Sequence, residues 1–597
     1  MRRFGDKRVS LGDRIGGAAV CAAAAAALLA AGCGAAYQTT QADREVTAIV
    51  AAKQQKALGR KEPFSVEPNR AVRDLYREAA ERAGAEAAAA PPSAPPQAAP
   101  EATAPPAAAP QTAGEAEPTE PLPKTEKDAI RLSMSDAMRL AVQANRDYQS
   151  AKEDVYLAAL ALTFERYLFQ PHPFATGTVN LQDDVRADER SFTGGSNIGV
   201  SQQLATGALV MGSLGLTALK FINSELGDTL DTALQFSITQ PLWRGAGPRV
   251  VEENLVQAER NALYEVRRFA RFEQTFAVSV ASRYLGVLQQ RQIVLNEWQN
   301  YQSLKAGRER SEWLAKAERL PEFQVDQARQ DELRAYNTWI TAREEYQNAL
   351  DEFKVVLGIP VATPIALKPE ELEQLTAHGL ELLEVNLEDD VATALVTRLD
   401  LAVARDGFDD AKRKVFVAED GLKGDVDLVA SIGYESNPNR PESARIEFHK
   451  GLYSIGLDID LPIDRLQERN ALRRTQIDQE RAERAMSLLE DQVVLQVRED
   501  YRALEAARQS YEIQKRSVAL AERRVESTDL LLQAGRADQR DVLDSQSALV
   551  QARNALTRAL VNHTIAQLEF RRDAGTLVVD SEGQIHDWSL TQGEPNP

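Results

Sequence analysis

The fold of this chain is decided by the stretch LLLQAGRADQRDVLDSQSALVQARNALTRALVNHTIAQLEF, which runs from Leu530 to Phe570. It predicts the end of one helix, a tight turn and a second helix, because Gly535 can adopt the positive φ that closes a helix and Asp538 can cap the next one. After the turn, a mostly large row of residues recurs every seven positions and contains Val542, Leu549, Leu556, His563 and Phe570. A small row contains Ser545, Ala552, Ala559 and Ala566. A period of seven holds one seam of a helix against a neighbour, so the stretch predicts two closely packed helices.

The same pattern occurs a second time, 217 positions earlier. The equivalent alanine row contains Ala328, Ala335, Ala342 and Ala349. The same offset relates Tyr284 to Tyr501 and Gly358 to Gly575. The segments that begin at Leu132 and Asn386 also resemble each other, aligned through Asp136 and Asp389 at an offset of 253 positions. A repeat of this length indicates a duplicated half-protein rather than a solenoid unit.

Composition narrows the class of protein. The chain has 597 residues, 27% of them charged, and a formal net charge of −19. Phosphate binding needs a basic stripe and the sequence carries none, which argues against nucleic acid as a partner. The duplication favours one elongated unit with attachments over a string of separate domains.

The amino terminus has the features of an export signal. Basic residues up to Arg14 precede an apolar run from Ala18 to Ala31, so residues 1–32 are predicted to be a signal peptide. The small residues before Cys33 resemble the lipobox of bacterial lipoproteins, whose cysteine is acylated, and an ordinary cleaved signal is the alternative. Cys21 lies in the removed segment, so the mature chain is expected to hold neither a disulfide nor a cysteine metal site.

Two segments are expected before the first repeat. Residues 33–82 are predicted to be a lipid-anchored segment with short helices, such as Asp43–Leu58 and Ala71–Arg82. Residues 83–124 are rich in Ala and Pro and poor in large apolar side chains, so they predict a disordered linker.

Strands are predicted in both halves. Beyond the signal, no apolar run is long enough to cross a bilayer as a helix, so a membrane crossing has to be made by strands. The clearest strands alternate apolar and polar residues over about ten positions, the length of a tilted barrel strand. The four main strands are Ala175–Gln182, Leu234–Thr239, Val426–Glu435 and Tyr453–Leu461. Residues 191–230, rich in Gly, Ser and Thr, either lengthen the first hairpin or add strands.

Four strands are too few to close a barrel, and open sheet edges are not tolerated in lipid. Several chains must therefore share one transmembrane β-barrel, and three chains would supply twelve strands. The edge of a soluble sandwich is the alternative reading of these strands.

Long helices dominate the remaining sequence. From each strand pair to the turns at Glu318 and Gly535, about 70 residues predict a rod of about 100 Å. Shorter helices are predicted at Ser133–Phe169, Pro321–Leu357, Leu387–Glu419 and Asp538–Ala574. One long helix can lie against two shorter helices stacked end to end. The fold class is therefore mainly α with a small β part, in which a long antiparallel α-helical tunnel is combined with the shared barrel.

Four motifs in this order, duplicated, are specific in combination. They are LSMSDAMRLAVQANRD from Leu132, ITQPLWRGAG at Ile238–Gly247, Leu357-Gly358-Ile359-Pro360, and AGRADQRDVLD at Ala534–Asp544. Over roughly residues 130–576 the chain resembles the bacterial outer-membrane efflux proteins, the TolC-like exit ducts. The resemblance implies a homotrimer with a twelve-stranded barrel in the outer membrane and a helical tunnel in the periplasm. It also implies docking to a periplasmic adaptor and an inner-membrane pump, and passive export of substrates.

The domain organisation follows from the repeat and this resemblance. The first duct repeat is expected at residues 125–362, a connection at 363–385, the second repeat at 386–576 and a tail at 577–597.

The resemblance also implies two kinds of site. The helical-hairpin turns of the family are adaptor-docking tips, which here correspond to Glu318, Arg319, Leu320, Pro321, Gly535, Arg536, Ala537 and Asp538. The carboxylates that ring the inner mouth of the tunnel correspond to Asp541 and Asp544, which a spacing of three places on one helical face. The matching first-half position is Gln324, and Leu532 stands where some ducts have a tyrosine that helps close the mouth.

Other functions are disfavoured. The five histidines form no paired metal spacing, and neither a nucleophile elbow nor a phosphate-binding loop is present, so neither an enzyme nor a cofactor is expected. His563 lies in the large-residue row and is predicted to be packed rather than catalytic. A lipid-anchored periplasmic coiled-coil scaffold without a pore remains the alternative function.

Overall fold

A computed structural model of the chain describes residues 35–66, 120–122, 129–184, 189–221, 229–378, 385–436, 445–534 and 536–586. The predictions for the signal peptide, Cys33, Ala71–Arg82, Gly535, nearly all of the linker and the end of the tail lie outside these residues. Contacts divide the chain into two compact units. Unit 1 contains residues 1–64, 154–267 and 403–487, and unit 2 contains residues 65–153, 268–402 and 488–597.

Helices make up most of the described chain. They are α1 Ala35–Leu58, α2 Met134–Ala144, α3 Arg146–Tyr167, α4 Pro248–Val251, α5 Glu253–Lys316, α6 Glu322–Leu357, α7 Glu370–His378, α8 Leu387–Thr397, α9 Leu399–Asp420, α10 Leu466–Gln533 and α11 Gln539–Asp573. The strands are β1 Ile130–Leu132, β2 His172–Asp184, β3 Glu189–Gln203, β4 Leu209–Phe221, β5 Thr229–Pro241, β6 Ile365–Leu367, β7 Asp425–Ser436 and β8 Ile446–Asp460. Within the described ranges, the helices lack the length of apolar sequence that a bilayer-crossing helix needs.

The duplication seen in the sequence is repeated in the element bounds. Helices α2 and α8 have 11 residues each, and α3 and α9 have 22 each. Both pairs begin 253 positions apart, whereas α6 and α11 begin 217 positions apart. The first half is therefore longer by 36 positions, and the extra residues lie between its first helices and α6.

The single helices predicted at Ser133–Phe169 and Leu387–Glu419 are wrong, because each is broken once. The breaks fall at Asn145 and Arg398, whose ψ angles of 132° and 124° are extended. Asn145 holds its break through its side chain, which accepts a hydrogen bond from the backbone N–H of Tyr148 at 2.9 Å and donates to the carbonyl oxygen of Val356 at 2.8 Å. No glycine or proline marks either break, so helical periodicity runs through both.

The glycines that end α6 and α11 occupy equivalent places. Gly358 and Gly575 have φ angles of 72° and 73°, which favour glycine. A Cβ on Gly358 would overlap the backbone of Ala144, and one on Gly575 would overlap the side chain of Thr397. Ala144 and Thr397 are themselves the last residues of α2 and α8. Each half therefore closes its last helix against the end of its first.

Unit 1 contains one antiparallel sheet of six strands in the order β2-β3-β4-β5-β7-β8. The four predicted main strands are present as β2, β5, β7 and β8. The count of four is too low, because residues 191–230 form most of β3 and β4 rather than a longer hairpin. Ser, Thr and Gly fill so many of these positions that their apolar alternation is weak in the sequence.

The two faces of this sheet differ in polarity. One row in register across β4, β5, β7 and β8 contains Val210, Ile238, Ala430 and Ile455. The adjacent row, on the other face, contains Met211, Ser237, Ser431 and Ser454. The apolar face is open in the single chain, where Ile455 is 82% exposed.

Helix α1 packs in unit 1 beside α3 and α5. Tyr156 donates a hydrogen bond to Asp43 at 2.7 Å, which raises the pKa of the phenol to about 12. Farther along α1, Lys53 lies 3.9 Å from Glu259, which also binds Arg166 at 3.0 Å. Residues later in α1 thus lie beside residues later in α3, so the two helices run parallel.

Ion pairs join α9 to α5 in the same unit. Arg260 and Arg267 of α5 both bind Asp406, at 3.2 and 2.5 Å. Arg413 of α9 binds Glu253 at 3.1 Å. These contacts cross-link the two helices next to the strands.

The core of unit 2 is built from the predicted heptad rows. Val542, Ser545, Ala552, His563 and Phe570 are all buried on α11. On α6, Ala328, Ala335 and Ala342 are buried in the same manner, beside Trp339, Tyr346 and Phe353. The rows thus pack as helix seams, as the seven-residue period predicts.

Candidate docking tips and inner mouth

The first candidate tip is the turn between α5 and α6 in unit 2. Glu318 adopts a φ of 55°, in the left-handed region that costs a residue with a side chain about 1 kcal/mol or more. The turn is closed by the backbone N–H of Arg319, which donates to the carbonyl oxygen of Leu314 at 2.9 Å. Pro321 precedes the first turn of α6 in extended conformation. A turn that glycine usually makes is therefore made here without one.

The second candidate tip is the turn between α10 and α11. Asp538 is the N-cap of α11 and forms a capping box with Asp541, whose carboxylate accepts the backbone N–H of Asp538 at 3.1 Å. The backbone N–H of Arg536 donates to the carbonyl oxygen of Leu531 at 2.9 Å. The predicted cap at Asp538 is confirmed, and Gly535 lies outside the described residues.

The two tips lie side by side within unit 2. A cavity of about 250 Å³ between them is lined by Gln324 and Asp331 of α6 and by Asp538, Arg540 and Leu543 near the start of α11. Polar groups from both hairpins thus share one cleft. The resemblance named the two turns separately, and the structure brings them together.

Helices α5 and α11 approach closely behind this cleft. A Cβ on Gly307 would lie 3.1 Å from Leu543 Cδ2 and 3.4 Å from Gln539 Nε2. Leu543 is buried there in a cluster with Tyr301 and Leu304. Gly307, one of two glycines inside α5, is explained by this close approach.

An ionic network stiffens the first hairpin near its tip. Arg308 binds Glu312 at 3.0 Å and Glu332 at 2.5 Å, and Arg329 binds Glu312 at 3.0 Å. Hydrogen bonds from Arg308 and Arg329 lower the pKa of Glu312. The network connects α5 to α6 across the hairpin, which holds the turn in place.

Two exposed aromatic side chains flank the first turn and were missed by sequence reasoning. Trp313 is 72% exposed, with the Lys316 ammonium 5.2 Å from its ring centroid, and Phe323 is 66% exposed. Large aromatic side chains in such positions are characteristic of protein interfaces. Their only sequence signal is their proximity to the turn.

Asp541 and Asp544 both lie on the exposed surface at the start of α11. The carboxylate of Asp541 is engaged in the cap, whereas that of Asp544 lies 3.7 Å from Arg540 Nε, with side chains 62% and 69% exposed. Arg540 was not singled out from the sequence, although its spacing of four from Asp544 is the signal for such a pair. A ring built from three copies would carry three arginines among its six carboxylates, so its net charge would be halved.

The predicted packing of His563 can be checked on α11. His563 is 4% exposed, and burial lowers its pKa, as expected for a packed residue. Among the residues that the structure describes, no group of three or more His, Cys, Asp or Glu side chains is placed to hold a metal ion.

Residues 391–576 match the model of the outer membrane efflux protein family. The chain is 26% identical over 276 residues to the outer membrane protein TolC of Escherichia coli strain K12, an alignment that covers 42% of this chain and 55% of TolC. It is 25% identical over 293 residues to TolC of Salmonella enteritidis, with 46% and 58% covered. The chain thus spans little more than half the length of the curated relatives it matches.

Solved structures share the fold. The CmeC outer membrane channel of Campylobacter jejuni matches with a TM-score of 0.56 at 13% identity, over 82% of this chain and 96% of CmeC. CusC matches with a TM-score of 0.55 at 13% identity, over 77% of this chain and 98% of CusC. The family model thus matches residues 391–576, and over its aligned length the chain is similar to the TolC-like outer membrane efflux proteins.

Proposed function

We propose that this chain is the outer-membrane exit duct of a tripartite efflux or type I secretion system. In this role it conducts substrates passively from a periplasm-spanning pump to the cell exterior and catalyses no reaction. The observation that carries the proposal is the two-faced sheet of unit 1, whose apolar rows are open in the single chain. Lipid covers such a face in an outer-membrane barrel, and the polar face then lines water.

The duct is proposed to be a homotrimer. The sheet has two edge strands, β2 and β8, and a barrel abolishes such edges only when they pair with the next subunit. The helical part would then extend into the periplasm, while the sheet lies in the outer membrane.

The tips are proposed to dock a periplasmic adaptor that connects the duct to an inner-membrane pump. Support comes from the shared cleft between the two turns and from the exposed rings of Trp313 and Phe323 beside it. The carboxylates of Asp541 and Asp544 are proposed to line the inner mouth, where they would attract cations. We also propose that Cys33 is acylated and anchors the chain to the membrane.

The scaffold alternative leaves the apolar sheet face in water. A face of this size on a soluble protein is an aggregation liability unless a partner covers it. A scaffold would also have no pore, so electrical conductance separates the two functions.

The test is reconstitution of the purified protein in planar bilayers, with two adjacent substitutions on β8. Ile455→Arg places a charge on the apolar face and should abolish insertion, because arginine at the bilayer midplane costs about 2–4 kcal/mol. Ser454→Arg, on the polar face, should insert and shift ion selectivity towards anions. A protein that needs no detergent and conducts no current, or equal behaviour of the two variants, would contradict the proposal.

A further inference from the structure

We propose that the barrel formed by this chain has eighteen strands, six from each of three subunits. This inference rests on the proposed function and departs from the twelve strands that the resemblance implies. It concerns β3 and β4, which the sequence pattern left undecided.

The first support is the continuity of the hydrogen-bonded ladder. β3 pairs with β2 from His172↔Ser201 to Asp184↔Glu189, and with β4 from Ser191↔Phe221 to Gln203↔Leu209. The six strands have 12 to 15 residues each, so β3 and β4 are as long as the strands that surround them. The hairpin is thus a full-height part of the sheet rather than a loop above it.

The second support is the polarity of the hairpin's faces. Ile198 of β3 lies opposite Leu214 of β4, which lies opposite Leu234 of β5, and all three share the apolar face. Ile198 is 58% exposed and Leu214 is 45% exposed in the single chain. On the other face, Asn197 lies opposite Gly215, and Ser213 lies opposite Gln235. In a hairpin surrounded by water these aliphatic side chains would be exposed to solvent, whereas in the barrel wall lipid covers them.

The third support is a seat for the turn between β3 and β4. Gly207 has a φ of 94°, and its Cβ position would lie 2.8 Å from the carbonyl oxygen of Gly245. Thr206 accepts two hydrogen bonds on its carbonyl oxygen, from Gln240 Nε2 at 3.1 Å and from the backbone N–H of Gly247 at 3.0 Å. The QPLWRGAG corner at Gln240–Gly247 therefore holds the added hairpin at the helical end of the sheet.

The length of the repeats supports the same conclusion. Their offset falls from 253 before the strands to 217 after them, so the first half carries 36 additional residues. A hairpin of two such strands with its turns has this size. In the second half, β7 ends at Ser436 and β8 begins at Ile446, so nine residues separate these two strands.

An eighteen-stranded wall changes what the outlet can pass. Barrel diameter grows roughly linearly with strand number, so the outlet would be about 1.5 times as wide as that of a twelve-stranded duct. Barrels of 16 to 18 strands leave an open aqueous channel, and this one suits bulkier cargo than a twelve-stranded outlet.

The direct test is to count strands in the lipid-embedded oligomer by electron cryo-microscopy. Eighteen strands support the proposal, and twelve strands in a conducting trimer overturn it while the duct function stands. A protein that forms neither trimer nor pore would instead refute the proposed function.

Single cysteines give an independent measurement in the full chain, with Cys33→Ser as background. Ile198→Cys and Leu214→Cys should be protected from a membrane-impermeant maleimide in vesicles. A fluorophore attached to either cysteine should be quenched by bilayer-embedded spin labels. Asn197→Cys and Ser213→Cys should react with the same maleimide through the lumen. Labelling of all four positions from water places the hairpin outside the wall and overturns the proposal.

A deletion of residues 189–221 gives a third readout. It leaves β2 and β5 antiparallel, so a twelve-stranded trimer can still close. Single-channel conductance limited by the outlet should fall to about half that of the parent, because the lumen area scales with the square of the diameter. Unchanged conductance in an inserted variant counts against the wider wall, and the labelling pattern decides if this variant fails to fold.

Discussion

The half-buried Asp500 of α10 and the buried Asp573 of α11 form a carboxyl pair whose members have opposite pKa shifts. Burial and the adjacent Asp573 raise the pKa of Asp500 to about 7. Burial would also raise the pKa of Asp573, but hydrogen bonds from Arg572, at 2.6 Å, and from Asp500 lower it to about 2. Asp573 also binds Arg271. The pair therefore holds one proton at pH 5 and loses it as the pH rises through about 7.

The pair predicts a pH-dependent stability that Asp500→Asn removes. The folded state holds the Asp500 proton up to about pH 7, whereas the unfolded chain releases it near the ordinary value of 3.8. The stabilisation is present below pH 4 and is lost as pH rises through about 7. We expect the free energy of unfolding of the asparagine variant to exceed that of the parent by about 2 kcal/mol at pH 8. This is less than the full pKa shift implies, because the site is partly solvated. The difference should vanish near pH 4.

Thermal unfolding in detergent between pH 4 and 8 measures this difference. The control is Asp478→Asn on the same helix, which removes an exposed carboxylate 3.7 Å from Arg481 and should show no such trend. A stability difference for Asp500→Asn that is independent of pH would contradict the assigned proton.

Gly358 predicts a large cost for a methyl group. Gly358→Ala forces a left-handed residue to carry a Cβ that overlaps the Ala144 backbone, and should destabilise the chain by about 3 kcal/mol or more. Gly59 has nearly the same φ, 71°, and nothing within 4 Å, so Gly59→Ala should cost only about 1 kcal/mol. Denaturant unfolding of both variants measures the two costs, and equal values would show that the close contact is unimportant.

The approach of α5 to α11 predicts the effect of a larger residue at Gly307. Gly307→Val should cost about 1–3 kcal/mol and loosen the first turns of α11, because Leu543 and Gln539 stand in the way. Gly286→Val on the same helix meets nothing within 4 Å and should change stability by about 0.5 kcal/mol or less. Hydrogen exchange in the tip peptides is the measurement, and unaltered protection in the Gly307 variant would refute the packing argument.

The inner mouth predicts a cation preference that depends on two carboxylates. In planar bilayers, the Asp541→Asn and Asp544→Asn double variant should lose this preference, and Arg540→Gln should strengthen it by removing the opposing charge. Asp478→Asn, which removes an exposed carboxylate near the start of α10, serves as the control. Unchanged reversal potentials in both mouth variants would rule out the acidic ring.

The direction of α1 predicts that the proposed acylation at Cys33 loosens the first turns of this helix. Asp43 is held level with Tyr156, about 16 Å before the end of α3, and the amino end of α1 continues away from the strands. A lipid on Cys33 could then reach the bilayer only if the first turns of α1 left α3. Hydrogen exchange at residues 37–43 should be faster in the acylated, membrane-bound chain than in Cys33→Ser. Equal protection would show that one arrangement serves both forms.

The sequence predicted the packed parts of this fold better than its interruptions. Seven-residue spacing identified the buried row from Val542 to Phe570, because a helix seam records burial directly in residue type. The breaks at Asn145 and Arg398 were not visible, because a capping side chain and tertiary contacts, rather than glycine or proline, end those helices. Strands β3 and β4 were left open, because Gly, Ser and Thr conceal their alternation.

The tips show a similar division. The residue type and position of Asp538 predicted a helix N-cap, and the structure confirms that cap. Glu318 gave no sign of its positive φ, because a residue with a Cβ takes that conformation only when neighbouring contacts impose it. Arg540 could have been found from its spacing of four from Asp544, whereas the cleft between the turns could not be read from either half alone. The roles of these residues in docking and ion selection remain predictions.

The place where the chain meets its sheet constrains how such proteins can diversify. The polypeptide arrives from α3 and departs towards α5 at one rim, where His172 lies opposite Ser201 and Leu209 lies opposite Thr239. Only an even number of strands returns the polypeptide to that rim, so strands are added to the sheet as whole hairpins. Under threefold symmetry, the number of strands in the barrel then changes in steps of six, and one insertion can widen the outlet without altering the helices of unit 2.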